Sequence, residues 1–366
     1  KINIDLVENE AISKKYNVKA IPSLILVNTS GEEVFRWLDY QPAQKFAKEL
    51  DSELKNKDDL VSTVRKADSG DKVAARKAAQ IYSSQMSWEK AAQYYDMLKD
   101  ERSKNLKLSC EVNLLSDTKD DDDKAKSEYL LGLDKSIALT TSTVDQLRWK
   151  IDYFETKETP KEKRDTVSLQ KVIADLNKLL SDQKIAQEFQ QSTIGDMTGF
   201  EKIETLDMRG RVEDLLGLSE AKKETQKQML STLLKQKHDV KFPGRMINSI
   251  YYFTQAGSPT DAEKLIQKLV AANPKSYVYY QRYASFLTGQ KRAEEALVQI
   301  DKALQFKEGN EPQLNVAKIK ILKKKKKKTE ALALVEKTQE LIKLAPEKYK
   351  RTKVTLESFQ KELSKN

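Results

Sequence analysis

"DAEKLIQKLVAANP" (residues 261–274) and "RAEEALVQIDKALQF" (residues 292–306) set the same alanine in the same place, with Ala262 and Ala296 34 residues apart. Twelve residues before each stands another residue placed for helix contact, Ile250 and Ala284. The same step joins Ala79 to Ala91 in "AAQIYSSQMSWEKAAQYYDML" (residues 78–98). Twelve residues span part of one helix, a turn and the start of the next, and small residues at such points let two helices lie close. From about Asn56 onward Ala, Leu and Tyr recur at helical spacing, with no alternating strand pattern. A fixed period of this length marks stacked repeats.

These residues resemble the tetratricopeptide repeat, a pair of antiparallel helices. Pro274 closes one unit, Tyr280 and Leu287 fall in the next first helix, Ala303 in its second, and Ala331 with "LIKLAP" (residues 341–346) opens a further unit one residue out of phase. The match is clear over residues 243 to 346, partial over 70 to 100 and not visible between. That middle stretch still reads as helices, with Val144, Leu147, Ile151 and Phe154 on one stripe and Leu169, Ile173, Leu176 and Leu180 on another. Pro160 and Pro243 mark interruptions. The resemblance implies a solenoid whose concave face binds peptides or protein elements. If the first helix of each unit lines that face, Tyr251, Gln255, Gln281 and Ser285 turn toward one groove. The alternative is a groove filled by the chain's own helices.

The first residues follow another pattern. In "KAIPSLILVNTSGEEVFRWLDY" (residues 19–40), Pro22 precedes an apolar run, Leu24 to Val27, which reads as a strand covered on both faces. "NTSGEE" supplies a turn with Gly31 at its tip, Val34 to Leu38 a return strand, and Gln41 to Leu54 a closing helix. Before them, Lys1 to Asp5 alternates like a strand and Asn9 to Tyr16 is helical. Proline cannot donate to a sheet ladder, so it belongs at a strand's first residue or in a special turn. The order and the spacing of Tyr16, Val18, Pro22 and Gly31 resemble the C-terminal half of the thioredoxin fold. The resemblance implies a cis Ile21–Pro22 bond, with Ile21 and Pro22 offering backbone groups to an extended substrate peptide. It also implies a Cys-x-x-Cys half before Lys1, which these residues lack. Asp39 departs from the family's glycine at that place, and Trp37 reads as packing. A Pro22 that only fixes a turn is the other reading.

The 366 residues exceed one ordinary core. The predicted fold class is a small α+β, partial thioredoxin-like N-terminal domain (residues 1–55) plus a large all-α tetratricopeptide-like region, with divergent helical repeats over 56–242 and tetratricopeptide-like repeats and a C-terminal helix over 243–366. The net charge of +10 comes from 66 Lys and Arg against 56 Asp and Glu spread along the chain, a modest imbalance that makes nucleic acid a poor expectation as partner. Lys323 to Lys328 falls at a turn between two helices, without the arginines or aromatics of base-stacking binders. "DTKDDDDK" (residues 117–124) reads as an acidic interhelical loop without the Gly and terminal Glu of a calcium loop. A single cysteine, Cys110, reads as a small core residue, and the single histidine, His238, as a surface or helix-end residue. One of each allows neither an internal disulfide nor a Cys/His zinc cluster.

No catalytic residue, metal site or cofactor is expected from these residues, and the most apolar stretch, Ile21 to Val27, is too short to cross a bilayer. The expected function is binding of protein or peptide partners. The alternative, a thioredoxin-family thiol-disulfide oxidoreductase, follows from the second resemblance, as does a periplasmic or envelope location in place of a cytoplasmic one. The oligomeric state has no signature in the sequence.

Overall fold

The structure, a computed structural model, describes residues 9–19, 23–38, 43–55, 58–192, 197, 199–306, 311–343 and 349–365. A short helix α1 (Glu10–Lys15) precedes a hairpin of β1 (Ser23–Val27) and β2 (Glu33–Leu38), followed by α2 (Ala43–Leu54). Helices α3 (Leu60–Asp68), α4 (Lys72–Ser84), α5 (Trp88–Asp96), α6 (Glu101–Ser116), α7 (Asp123–Leu139) and α8 (Thr143–Lys157) come next. After them lie α9 (Thr166–Ser181), α10 (Ile185–Gln191), α11 (Glu201–Leu216) and α12 (Ser219–Leu233). The chain finishes with α13 (Pro243–Gln255), α14 (Pro259–Ala272), α15 (Tyr277–Gly289), α16 (Ala293–Gln305), α17 (Glu311–Lys324), α18 (Lys328–Ile342) and α19 (Lys350–Lys365). Residues 18–237 with 255–257 form one compact unit; the described parts of 1–17, 238–254 and 258–366 form another.

In the first unit, side chains that accept backbone N–H groups start the helices. Asp59, Asp71, Asp100, Asp122, Ser142 and Asp165 each cap the helix that follows, satisfying donors that have no partner within the helix.

Among the described residues, six helix pairs close with one turn. A residue of positive φ follows the first helix, and the next N–H donates to a carbonyl five residues back: Asp71 to Lys66, Ser87 to Tyr82, Leu218 to Glu213, Ser258 to Phe253, Arg292 to Leu287 and Lys327 to Leu322. The left-handed residues are Gly70, Met86, Gly217, Gly257, Lys291 and Lys326. This is the Schellman arrangement, which uses carbonyls the helix end leaves free. Counted from the left-handed residue, the fifth following position is Ala75, Ala91, Lys222, Ala262, Ala296 and Ala331. All five alanines are buried, so the second helix meets its neighbours there with no side chain beyond Cβ.

Each unit buries its apolar surface in successive clusters. In the first, one cluster gathers Ala67, Ala78, Ala91 and Cys110, the next Leu108, Leu133 and Trp149, and the third Leu147, Ile151, Leu169 and Met208. In the second, Tyr280, Ala284, Ala296 and Leu314 form one cluster and Ile319, Ala331, Val335 and Leu356 another. A single pair cannot bury its own face, so stability accumulates between neighbours. Pro243 opens α13, and Pro259 opens α14, where a missing N–H costs nothing.

At the hairpin, Ser23 pairs with Leu38 and Leu26 with Phe35 in antiparallel register, with an irregularity at Leu26/Val27. The Asn28 side-chain oxygen accepts from the Ser30 and Glu32 amides at 3.0 and 2.9 Å, and Gly31 takes a φ of +72° at the tip. The two strands share burial otherwise than expected. Leu24 and Val27 on β1 are 43% and 40% exposed, whereas β2 is covered because α3 and α4 pack against it. Trp37 is buried edge-on between Phe35 and Phe46 and donates to Glu49 at 2.9 Å.

Among the described residues the sheet has two strands. The thioredoxin-like domain expected over residues 1–55 is therefore represented by a hairpin and its flanking helices α1 and α2; the expected strand Lys1 to Asp5, Ile21, Pro22 and Asp39 lie outside the described residues. What ties the hairpin to the helices is a buried ionic cluster. Arg36, 2% exposed, pairs doubly with Glu33 at 2.9 Å, and Gln85 at the end of α4 donates to the same carboxylate at 3.0 Å. Removing Glu33 would break this buried pair and lower stability.

Candidate functional site

In the second unit α13 and α15 flank a groove floored by α14. Ile247, Ile250 and Tyr251 come from α13, Ile266 and Leu269 from α14, and Tyr279, Arg282, Ser285 and Phe286 from α15. Their positions follow from helical geometry: 247, 250 and 251 lie on one face of α13, and 279, 282, 285 and 286 on one face of α15. The space is about 190 Å³, smaller than the ~300–1,000 Å³ usual for small-molecule sites. Apolar carbon forms its floor, and Tyr251, Arg282 and Ser285 are exposed along it.

Of the four residues expected in a groove, the structure brings Tyr251 and Ser285 together. Gln281 is half-buried on α15 and Gln255 is exposed at the last position of α13; neither lines this groove. Gln255 lies four residues after Tyr251 and Gln281 four before Ser285, one turn further along each helix. On α15 the groove face runs instead through Arg282, three residues before Ser285, and Phe286 beside it. Ile250, already marked by the twelve-residue step, was the available signal for the phase of α13.

Burial raises the Tyr279 phenol above its ordinary range, and the Arg282 charge partly opposes this. Next to the groove, Tyr283 donates to Glu263 at 2.6 Å and Arg292 donates to the same carboxylate at 2.5 Å. The Arg292 hydrogen bond holds Glu263 below the usual carboxylate range. These three residues tie α14 to the turn before α16.

The first unit has two larger cavities, of about 440 and 540 Å³, with charged walls. Their cations are engaged: Arg211 with Asp152 and Glu155, Lys222 with Asp214, and Lys126 with Glu158. The smaller of the two contains Lys222, which replaces the buried alanine of the other five pairs, and Gly210 and Thr225 beside it.

Cys110 is buried, and burial pushes its thiol up to about 11, with a contact to Ser83 opposing the shift. A thiol held protonated is a poor nucleophile. The lysine run covers the last residues of α17, the turn, and the first residue of α18. Lys323 pairs with Glu362 and lies 4.2 Å from the Phe359 ring centre, Lys325 pairs with Glu294, and Lys327 with Glu330. The acidic stretch likewise joins α6 to α7, with Asp122 capping α7. His238 lies half-buried between α12 and α13, with its ring 5.5 Å from that of Phe253. No described helix is long and apolar enough to cross a membrane.

No protein-family model and no curated protein matches the sequence. Solved structures are similar at low identity. A tetratricopeptide repeat protein from Parabacteroides merdae is 14% identical, covering 81% of this chain and 99% of that one with a TM-score of 0.39. The TPR2AB domain of yeast Sti1, in its complex with pHSP90, is 13% identical, covering 82% of this chain and 99% of that one with a TM-score of 0.29. By its own helix pairing, repeated turn and buried alanines, the described chain is a tetratricopeptide-like helical repeat protein with a small N-terminal β-hairpin.

Proposed function

We propose that the chain binds polypeptide segments, and that the regular repeats within residues 243–366 carry the binding groove. The observation that carries this reading is the opening between α13 and α15, with an apolar floor and Tyr251 and Ser285 exposed along it. Helical hairpins offer such a surface to an extended peptide or a helix, with apolar contacts giving affinity and polar side chains setting register. Selection of a random peptide library on the full chain tests it. Selected peptides should lose at least ~10-fold in affinity for a Ser285→Trp variant, whose indole fills the groove. Unchanged affinity for a variant with an unaltered circular dichroism spectrum overturns the reading.

A second reading has narrower support. The order of α1, β1, the Gly31 turn, β2 and α2 agrees with the C-terminal half of a thioredoxin-like module. In an oxidoreductase of that family, Ile21 and Pro22 would hold substrate and the dithiol would come from residues outside this sequence. A periplasmic or envelope location belongs to that reading.

A further inference from the structure

Charge in the groove is one-sided. α13 contains Arg245, α15 contains Arg282, and neither helix contains an Asp or Glu. Both carboxylates of α14 are engaged elsewhere, Asp261 by Ser258 and Lys264 and Glu263 by Arg292 and Tyr283. Arg282 is exposed in the groove wall and has no hydrogen bond or ion pair among the described residues. An unneutralised guanidinium thus stands beside an apolar space of about 190 Å³, room for one large side chain.

Taking the groove as a peptide site, we infer that its occupant is an acidic segment with a bulky apolar residue. The apolar side chain enters over Ile266 and Leu269, and a neighbouring Asp or Glu meets the Arg282 fork, whose two parallel N–H groups match a carboxylate. Ser285, one turn along, can exchange a hydrogen bond with the peptide backbone. The cation acts on a side-chain carboxylate, so the segment need not be a chain terminus. Nucleic acid fits less well, since a phosphate backbone is gripped by a track of cations and this wall holds one.

The test uses the full chain and a labelled dodecapeptide of Glu and Ser around a central Phe, capped at both ends, followed by fluorescence anisotropy. The acidic peptide should bind at least ~10-fold more tightly than versions with Gln or Lys for Glu, or Ser for Phe. Arg282→Gln should erase the preference over Gln, and Arg282→Glu should make the Lys peptide the better ligand. Ser285→Trp should weaken all of them. If Gln or Lys peptides bind the unmodified chain equally well and Ser285→Trp still weakens them, the charge inference falls while the groove reading stands. If Ser285→Trp affects no peptide, both fall. An Arg282-dependent affinity for oligo-dT or phosphatidylserine vesicles that the acidic peptide does not displace overturns the proposal. So does self-association abolished by Ser285→Trp, which would make a second copy the occupant. Because the peptide comparisons are made on the unmodified chain, a variant that misfolds does not prevent the decision.

Discussion

Ala296 shows how little side chain the repeat tolerates at its closest contact. It is fully buried in a cluster with Tyr280, Ala284 and Ile300, and a leucine there has no space to enter without displacing a neighbour. Ala296→Leu should lower stability by about 1–3 kcal/mol in a denaturant titration; no change in midpoint would place the residue outside the contact. Charge acts at single residues too. Burial alone would raise the Asp100 carboxyl, but hydrogen bonds from Ser103 and Arg76 outweigh it and bring the group down to about 2. A carboxylate depressed on folding contributes stability above its unfolded value, and that contribution is lost as pH falls from roughly 4 toward 2. Stability should therefore decline over that interval, and Asp100→Asn should flatten the decline. The alanines were legible in the sequence because a small residue recurring at a fixed step signals one close helix contact made again and again. Arg282 was not, because a lone cation on a helix gains meaning only from the absence of carboxylates on its own helix and the one facing it.

Among the elements, the turns decide where one helix ends and the next begins. Gly257, Lys291 and Lys326 hold the same left-handed place in successive pairs, and only glycine adopts it without strain. A Cβ at Gly257 would meet nothing within 4 Å, so Gly257→Ala isolates the backbone cost. It should destabilise by about 1 kcal/mol, while Lys291→Gly should recover part of that amount. Equal melting temperatures for wild type and both variants would remove the turn from the energetics. The pair α11–α12 escaped sequence reading for a related reason. It keeps the turn at Gly217 but places Lys222 where the others have alanine, so the marker used to find repeats is missing although the backbone motif persists. The hairpin was readable from the turn at Gly31, the apolar run before it and the return strand after it. Its burial was not, because which strand is covered depends on α3 and α4, far along the chain.

At the scale of the whole molecule, chemistry and architecture part company. The only cysteine is enclosed and held protonated, so the chain should leave insulin disulfides unreduced in dithiothreitol beyond the rate of a Cys110→Ser control. A higher rate would return Cys110 to consideration as a nucleophile. Architecture is better specified, through local rules repeated along the sequence. The six left-handed turn residues carry a consequence for spectroscopy. At positive φ a residue's own amide and α protons approach more closely than in a helix or a strand. Where that residue is not glycine, at Met86, Lys291 and Lys326, the turn should thus announce itself by an intense intraresidue cross-peak, a landmark from which it can be assigned in solution spectra.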